Sequence, residues 1–355
     1  MRRRAYLFQE IVSFENLLAA SKEARKGKRL KPEPALFHLD LETNILELQE
    51  DLATGAYRPG TYHTFRIYDP KSRVISAAPY RDRVVHHAIC RVIEPIFDRC
   101  FIFDSYANRK KKGTHKALDR CTSFCRSSRY VLKSDVKKFF PSIDHEVLLN
   151  LLAKKIKCKK TMDLLWTVIS ASNPQEPAIH YFPGDDLFTP LLRRRGIPIG
   201  NLTSQFFGNV MLDPLDHFMK ETMHCRRYVR FSDDFLVFGD EKAMLHELLE
   251  KTREFLYLFR LALHDKKCVV RRVSDGVPFL GWHVFSDHRR LRRSTGIRIQ
   301  RSLRRLAKTY QEGGIDLKRV KASVMSFIGH LKHGDTRGLR QEMFRNTVFK
   351  RIIKG

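Results

Sequence analysis

Three aspartates in this sequence stand where β-strands are expected to end. Asp135 closes the run Tyr130-Val131-Leu132-Lys133-Ser134, and Asp233-Asp234 lies between two apolar runs, Tyr228-Val229-Arg230-Phe231 and Phe235-Leu236-Val237-Phe238. The second pattern predicts a hairpin with both acids at its tip. A lone Asp-Asp pair is ordinarily a solvated turn. Here the β-prone arms predict burial on at least one face, and a buried acidic pair without cations is costly. Carboxylates converging from separate strands can hold two Mg²⁺ ions about 3.5 to 4 Å apart, with Mn²⁺ as a substitute. Two such ions suit nucleotidyl transfer, in which charge develops on the attacking oxygen, the α-phosphate and the leaving pyrophosphate.

Other residue types suit a nucleotide or a phosphate backbone. Phe140, five residues beyond Asp135, can lie under an incoming sugar and exclude a 2′-hydroxyl; the alternative is a core ring. Lys71, Arg73, Arg81 and Arg83 can grip a triphosphate, because guanidinium forks and ammonium groups match phosphate oxygens. The run Arg301-Ser302-Leu303-Arg304-Arg305-Leu306 can lay Arg301, Arg304 and Arg305 along one helical face against a nucleic-acid backbone, or leave them as a solvated face.

The elements that must position these groups follow from periodicity. Leu41, Ile45, Leu46, Leu48 and Leu52 predict an amphipathic helix within an N-terminal extension, residues 1–56. Residues 57–79 read as short strands and turns, and Asp82 to Phe97 as a helix. Tyr130 to Val136 reads as a strand, followed by a turn into a helix with Leu148, Leu149 and Leu152 on one face. A loop from Gly196 to Asn201 opens a helix from Leu202 to Lys220; a further helix spans Lys242 to Arg260, and Val277 to Trp282 is strand-like.

Composition limits the partner. Lys and Arg number 67 against 39 Asp and Glu, a net charge of +28 that favours a polyanion over a small substrate. Residues 286–355 hold 19 Lys and Arg and 5 Asp and Glu, so half the net charge lies in the last fifth of the chain. The seven cysteines are odd in number and form no Cys-x-x-Cys pair, which argues against a disulfide framework or structural zinc and fits a reducing cytoplasm. The basic start meets Gln9 and Glu10 before a secretory segment can form, and no run of 18 apolar residues occurs, so no membrane association is expected.

Taken in order, these segments resemble the reverse transcriptase family. Its first acidic motif matches Ser134-Asp135-Val136-Lys137-Lys138-Phe139-Phe140, and its Tyr-x-Asp-Asp box matches Phe231-Ser232-Asp233-Asp234, with a plain ring replacing the phenol. Arg81 to Ala88, Ile93-Glu94-Pro95-Ile96-Phe97 and Asp104-Ser105-Tyr106-Ala107 resemble the fingers of group II intron-type enzymes. The resemblance implies an α+β, right-handed fingers-palm-thumb fold, with fingers and palm over 57–285 and a basic helical thumb over 286–355. It implies metal contacts at Asp135, Val136, Asp233 and Asp234, and nucleotide contacts at Lys71, Arg73, Arg81, Phe140 and Lys267. It also implies a primer grip at Phe279, Leu280, Gly281 and Trp282.

The segment Gly196-Ile197-Pro198-Ile199-Gly200-Asn201-Leu202-Thr203-Ser204-Gln205 is similar to the branch found in diversity-generating retroelements. That resemblance implies copying of a structured template-repeat RNA into cDNA from dNTPs, with errors concentrated at adenines, by a bacterial or phage-encoded enzyme with a small basic oligomeric accessory protein. It places Ile199, Gly200, Asn201, Ser204 and Gln205 beside the nascent base pair. Ile199 there replaces an amide side chain, and fewer polar checks on pairing imply lower fidelity. Two other readings remain open: a group II intron-like or phage-defence reverse transcriptase, and an RNA-binding protein on the same fold that does not copy.

Overall fold

The computed structural model describes residues 6–68, 72–171, 180–345 and 347–351; Lys71 lies outside them. The N-terminal region is helical. Ser13 caps the helix Phe14–Ala24 by accepting from the Asn16 amide at 3.3 Å, and Gly55, at φ +77°, ends the helix Leu41–Thr54 in the left-handed region. That second helix buries Ile45, Leu48 and Leu52, whereas Leu46 falls on its solvent side. The first packs on a long helix, Tyr80–Asp98, whose inward stripe includes Val84, Ala88, Ile89, Val92, Ile93 and Ile96, and the second packs on the first.

Nine strands are used to describe the sheets: β1 His63–Ile67, β2 Arg73–Ala77, β3 Tyr130–Asp135, β4 Tyr228–Phe231, β5 Asp234–Gly239, β6 Val269–Arg272, β7 Val277–Phe279, β8 Trp282–Val284 and β9 Arg289–Leu291. β1 and β2 form an antiparallel hairpin of their own. The central antiparallel sheet has the order β4-β5-β3-β6. Because side chains alternate along a strand, its two faces build two cores. Leu132, Tyr228, Phe235, Val237 and Val270 join the large core beneath the helices His145–Ala153 and Leu202–His217. Val131, Val229, Leu236 and Phe238 join a second core with the helix Thr114–Cys125 and with Val277, Phe279, Trp282 and Val284.

The small sheet β7-β8-β9 leads into three basic helices, Arg293–Gln311, Leu317–Leu331 and Arg337–Arg345, which bury Ile299, Leu303, Leu331 and Met343 together. Trp282 locks them onto the sheet. A Cβ at Gly334 would lie 2.1 Å from its ring, so only glycine fits that approach.

Several sequence expectations are corrected here. Val277 to Trp282, strand-like by composition, is two short strands in a hairpin, as the resemblance to a primer-grip hairpin implies, reversed at Leu280 and Gly281, whose φ values of +46° and +88° suit a two-residue turn. β6 was not foreseen. The helix expected to reach Arg260 ends at Tyr257, and the one expected to reach Lys220 ends at His217 before a π-helical turn, Phe218–Thr222. β9 pairs with β8, so the boundary drawn after residue 285 cuts through a sheet. No helix among the described residues is long and apolar enough to cross a membrane.

Candidate active site

Register brings the acids together. Asp135, the last residue of β3, lies opposite Asp234, the first residue of β5, and Asp233 shares the intervening hairpin turn with Ser232. Only Asp233 is therefore at the tip. Ser232 takes φ +57°, a strained conformation for a non-glycine residue. The Val136 amide donates to the Asp233 carbonyl at 3.2 Å, and the His264 amide donates to the Asp135 carbonyl at 2.8 Å, so both neighbouring chains are pinned to the end of β3.

By strand alternation Asp135, Lys133 and Val131 share one face, as do Asp234, Leu236 and Phe238 on the facing strand. This is the face of the second core. Two lysines meet the acids. Lys133 Nζ donates to both carboxylate oxygens of Asp234 at 2.8 Å and to the Pro278 carbonyl at 3.0 Å, and Lys267 Nζ donates to Asp135 Oδ1 at 2.7 Å. Burial and the negative charge of Asp135 push the Asp233 carboxyl above its ordinary range, against the pull of Arg73. Burial raises Asp234 too; Lys133 opposes the rise, and Asp135 and Asp233 add to it. Among the described residues no three His, Cys, Asp or Glu side chains stand together as a metal-holding group.

The hairpin rests on a buried network. Arg230 on β4 and Asp216 on the helix Leu202–His217 both have fully buried side chains. Arg230 donates to Asp216 through Nε at 2.7 Å and Nη2 at 2.6 Å, and through Nη1 to Asn209 Oδ1 at 3.2 Å and to the Ser232 carbonyl at 3.1 Å. The Tyr228 hydroxyl donates to Asp216 at 2.7 Å. One guanidinium thus ties that helix to the turn that carries Ser232 and Asp233.

The other expected residues separate. Arg73 is exposed on β2, close enough for its charge to act on Asp233. Arg81 is brought instead to Asp51 and over the Tyr57 ring, and Arg83 donates to the Ala78 carbonyl at 2.6 Å and lies 3.7 Å from Glu33, so each contacts an acid of the N-terminal region. Phe140 is half-buried, and a Cβ on Gly208 would stand 3.5 Å from its ring and 3.2 Å from that of Phe139. The Ile199 carbonyl accepts from the Ser76 amide at 3.2 Å, so the loop is stitched to β2. Gly200 at φ +118° comes so close to β2 that a Cβ would lie 3.0 Å from Ile75. Asn201 and Ser204 are buried, with Asn201 Oδ1 accepting from the Ala78 amide at 3.4 Å, whereas Gln205 is exposed. Phe279 and Trp282 are fully buried core rings, and only the turn Leu280-Gly281 is partly open. Arg301, Arg304 and Arg305 are exposed around the buried Leu303.

Sequence reasoning missed Lys133, Arg230, Asp216 and Asn209. A signal existed for two of them. Lys133 is two residues before Asp135 on a strand and so shares its face, and Arg230 is a charge inside an apolar strand that demands a buried partner.

This geometry agrees with kinship. The reverse transcriptase (RNA-dependent DNA polymerase) family matches residues 68–284. The chain belongs to that family, and it has a polymerase fold of mixed helix and sheet. RNA-directed DNA polymerase is the enzyme class that the match and the relatives support. Protein YkfC of Escherichia coli is 26% identical over 292 residues, covering 70% of this chain and 73% of its own length. The group II intron-encoded protein LtrA of Lactococcus lactis is 24% identical over 181 residues, 50% of this chain. This chain spans only 28% of LtrA. A solved telomerase from Candida albicans aligns distantly, at 13% identity with a TM-score of 0.46, covering 82% of this chain and 56% of that one.

Proposed function

We propose that this chain copies an RNA template into DNA at Asp135, Asp233 and Asp234, in a fingers-palm-thumb arrangement. The observation that carries the reading is the pairing of Asp135 with Asp234, beside Asp233, at the end of a sheet in a chain of this family. The donor set fits Mg²⁺: hard carboxylate oxygens whose charges repel one another, as the raised Asp233 carboxyl reflects. Asp135, Asp233 and Asp234, with Val136 beside them, would hold two such ions, or Mn²⁺ in their place. Bound there, the ions supply charge stabilisation for phosphoryl transfer. The chain's own residues do the rest. Lys133 and Lys267 pair with Asp234 and Asp135, so they balance part of the charge that gathers at the acids and hold the two carboxylates in place. Arg73 faces Asp233 from β2, where a triphosphate would approach; Phe140 bounds the sugar, and Arg301, Arg304 and Arg305 meet the duplex backbone.

The finer reading is a diversity-generating retroelement enzyme, with dNTPs, a template-repeat RNA and a small basic oligomeric accessory protein. The segment from Gly196 to Gln205, which the Ile199 carbonyl joins to β2, supports it. The kinship to LtrA favours a second reading, a group II intron-like enzyme. One experiment addresses both. The purified chain, with its accessory factor where required, is given template-primer and dNTPs, and the cDNA is sequenced. Extension that Asp233→Asn abolishes while RNA binding survives is the expected result; extension retained by the variant refutes the site. Errors concentrated opposite adenine and reduced by Ile199→Gln support the retroelement reading, whereas errors spread evenly over the four bases remove it.

A further inference from the structure

Away from the three acids, the chain builds a rigid platform around an exposed aromatic ring. Phe103 is 68% exposed, at the tip of the turn that follows the helix Tyr80–Asp98. The turn is held by buried polar bonds rather than left loose. Arg109 donates to Asp98 Oδ1 at 2.6 Å and to the Ile102 and Ser105 carbonyls at 2.7 and 3.0 Å. Buried Asp104 accepts from Arg120 Nε at 2.8 Å and Lys220 Nζ at 2.9 Å, and the Tyr106 amide donates to the Arg230 carbonyl on β4 at 3.0 Å.

Around Phe103 lies a cavity of about 480 Å³ whose lining includes Tyr106, Lys111, Lys112, Lys116 and Arg120. Lys112 Nζ sits 3.4 Å from the centre of the Phe103 ring and donates to the Phe103 carbonyl at 2.7 Å, and Arg120 lies 5.8 Å from the same centre, while the ring stays largely exposed. Asp119, the acid in the lining, is taken by Arg289 at 2.7 Å. Burial, with Arg109 and Lys116 adding their repulsion, lowers the pKa of Lys112 against the pull of Asp104 and Asp98. The cavity is therefore short of anionic charge.

We propose that this cavity is an RNA-binding site, in which an unpaired base stacks on the exposed ring of Phe103 while its phosphates contact Lys111, Lys112 and Lys116. Aromatic stacking combined with a basic surface is the chemistry of single-strand binding, and it tolerates any base. Acidic side chains alone would satisfy the lysines but offer no planar ring to Phe103, whereas every nucleotide carries both a phosphate and a base. The site takes from the proposed function only that RNA is the ligand, and its occupancy is read separately from copying.

The test uses the full chain. Phe103→Trp is titrated with a single-stranded RNA oligonucleotide and, separately, with polyglutamate, with the emission of Trp166 and Trp282 in the unaltered protein subtracted. RNA is expected to quench the new indole and polyglutamate to leave it unchanged. Phe103→Ala is expected to weaken RNA binding about five-fold or more, the lower end of what stacking on an aromatic contributes. Lys111→Ala combined with Lys116→Ala should flatten the salt dependence of binding. Extension of a saturating, preannealed template-primer by Phe103→Ala should stay within about two-fold of the unaltered protein. No added quenching by RNA, equal quenching by polyglutamate, or unchanged RNA affinity in Phe103→Ala each overturns the proposal. An unaltered protein that binds RNA here but never extends a primer counts against the polymerase reading alone.

Discussion

Replacing Arg230 with methionine should separate the stability of this fold from the geometry of the turn that carries Ser232 and Asp233. The guanidinium and the Asp216 carboxylate are both fully buried and joined by two bonds of 2.7 and 2.6 Å. Removing the cation strands the carboxylate with the Tyr228 hydroxyl as its remaining side-chain donor. Breaking a buried pair in this way costs about 3 to 5 kcal/mol, a large share of the roughly 5 to 15 kcal/mol that keeps a domain folded. Adding Asp216→Leu removes the stranded charge. The double variant should therefore be more stable than Arg230→Met alone, with a coupling energy of about 2 kcal/mol or more, inside the range for directly bonded partners. Urea unfolding of the four proteins, with m-values compared, measures this. Primer extension then reads the second effect. The double variant lacks the 3.1 Å bond from Nη1 to the Ser232 carbonyl, so its turnover should fall at least about ten-fold while its affinity for template-primer holds. Loss of less than about 1 kcal/mol in Arg230→Met, or single effects that add within about 0.5 kcal/mol, refutes the network's role in stability. Turnover at the unaltered rate in the folded double variant refutes its role in positioning.

Asp213 provides a pH test. Burial, with Asp216 adding to it and His217 opposing, pushes its carboxyl up to about 6 from an ordinary value near 3.8. The folded state therefore holds this proton more tightly than the unfolded chain, so the group's contribution is present at low pH and is lost as pH rises through about 4 to 6. Asp213→Asn should be more stable than the unaltered protein at pH 7 and lack that fall; identical pH-stability curves count against the assignment. Phe140→Ala should admit ribonucleotides and, because the ring is only half-buried, cost less than about 3 kcal/mol; an unchanged preference for deoxynucleotides makes Phe140 a packing residue. Substituting Arg301, Arg304 and Arg305 together by alanine should flatten the log-log salt dependence of template-primer binding by about 2 to 3, at roughly 0.7 to 0.9 per phosphate contact. Point changes are the right perturbation, because truncation after Phe285 would remove β9 and unseat Trp282 from the contact with Gly334. An unchanged slope assigns these arginines to solvent.

The sequence by itself determined the local pieces. Two short apolar, β-prone runs around Asp233 and Asp234 specified a hairpin, and the spacing of Ile45, Leu48 and Leu52 specified a helix, because both depend on a few neighbouring residues. The order of the motifs pointed to the reverse transcriptase family and thereby to three aspartates. What the aspartates touch was decided only by the tertiary structure. Asp135 and Asp234 are about a hundred positions apart, and their pairing depends on the register of β3 against β5, which no local pattern specifies. The same register aims Lys133 at Asp234. A separate long-range approach brings Lys267 to Asp135, so two lysines lie against the acids. Arg81 looked free to grip phosphate but belongs to Asp51, and Trp282 looked like a grip but fills a core against Gly334, because a long side chain takes whatever partner the folded chain brings within reach. Residue type and spacing announce which chemistry is possible; the packing of distant segments decides which groups are held in place to perform it.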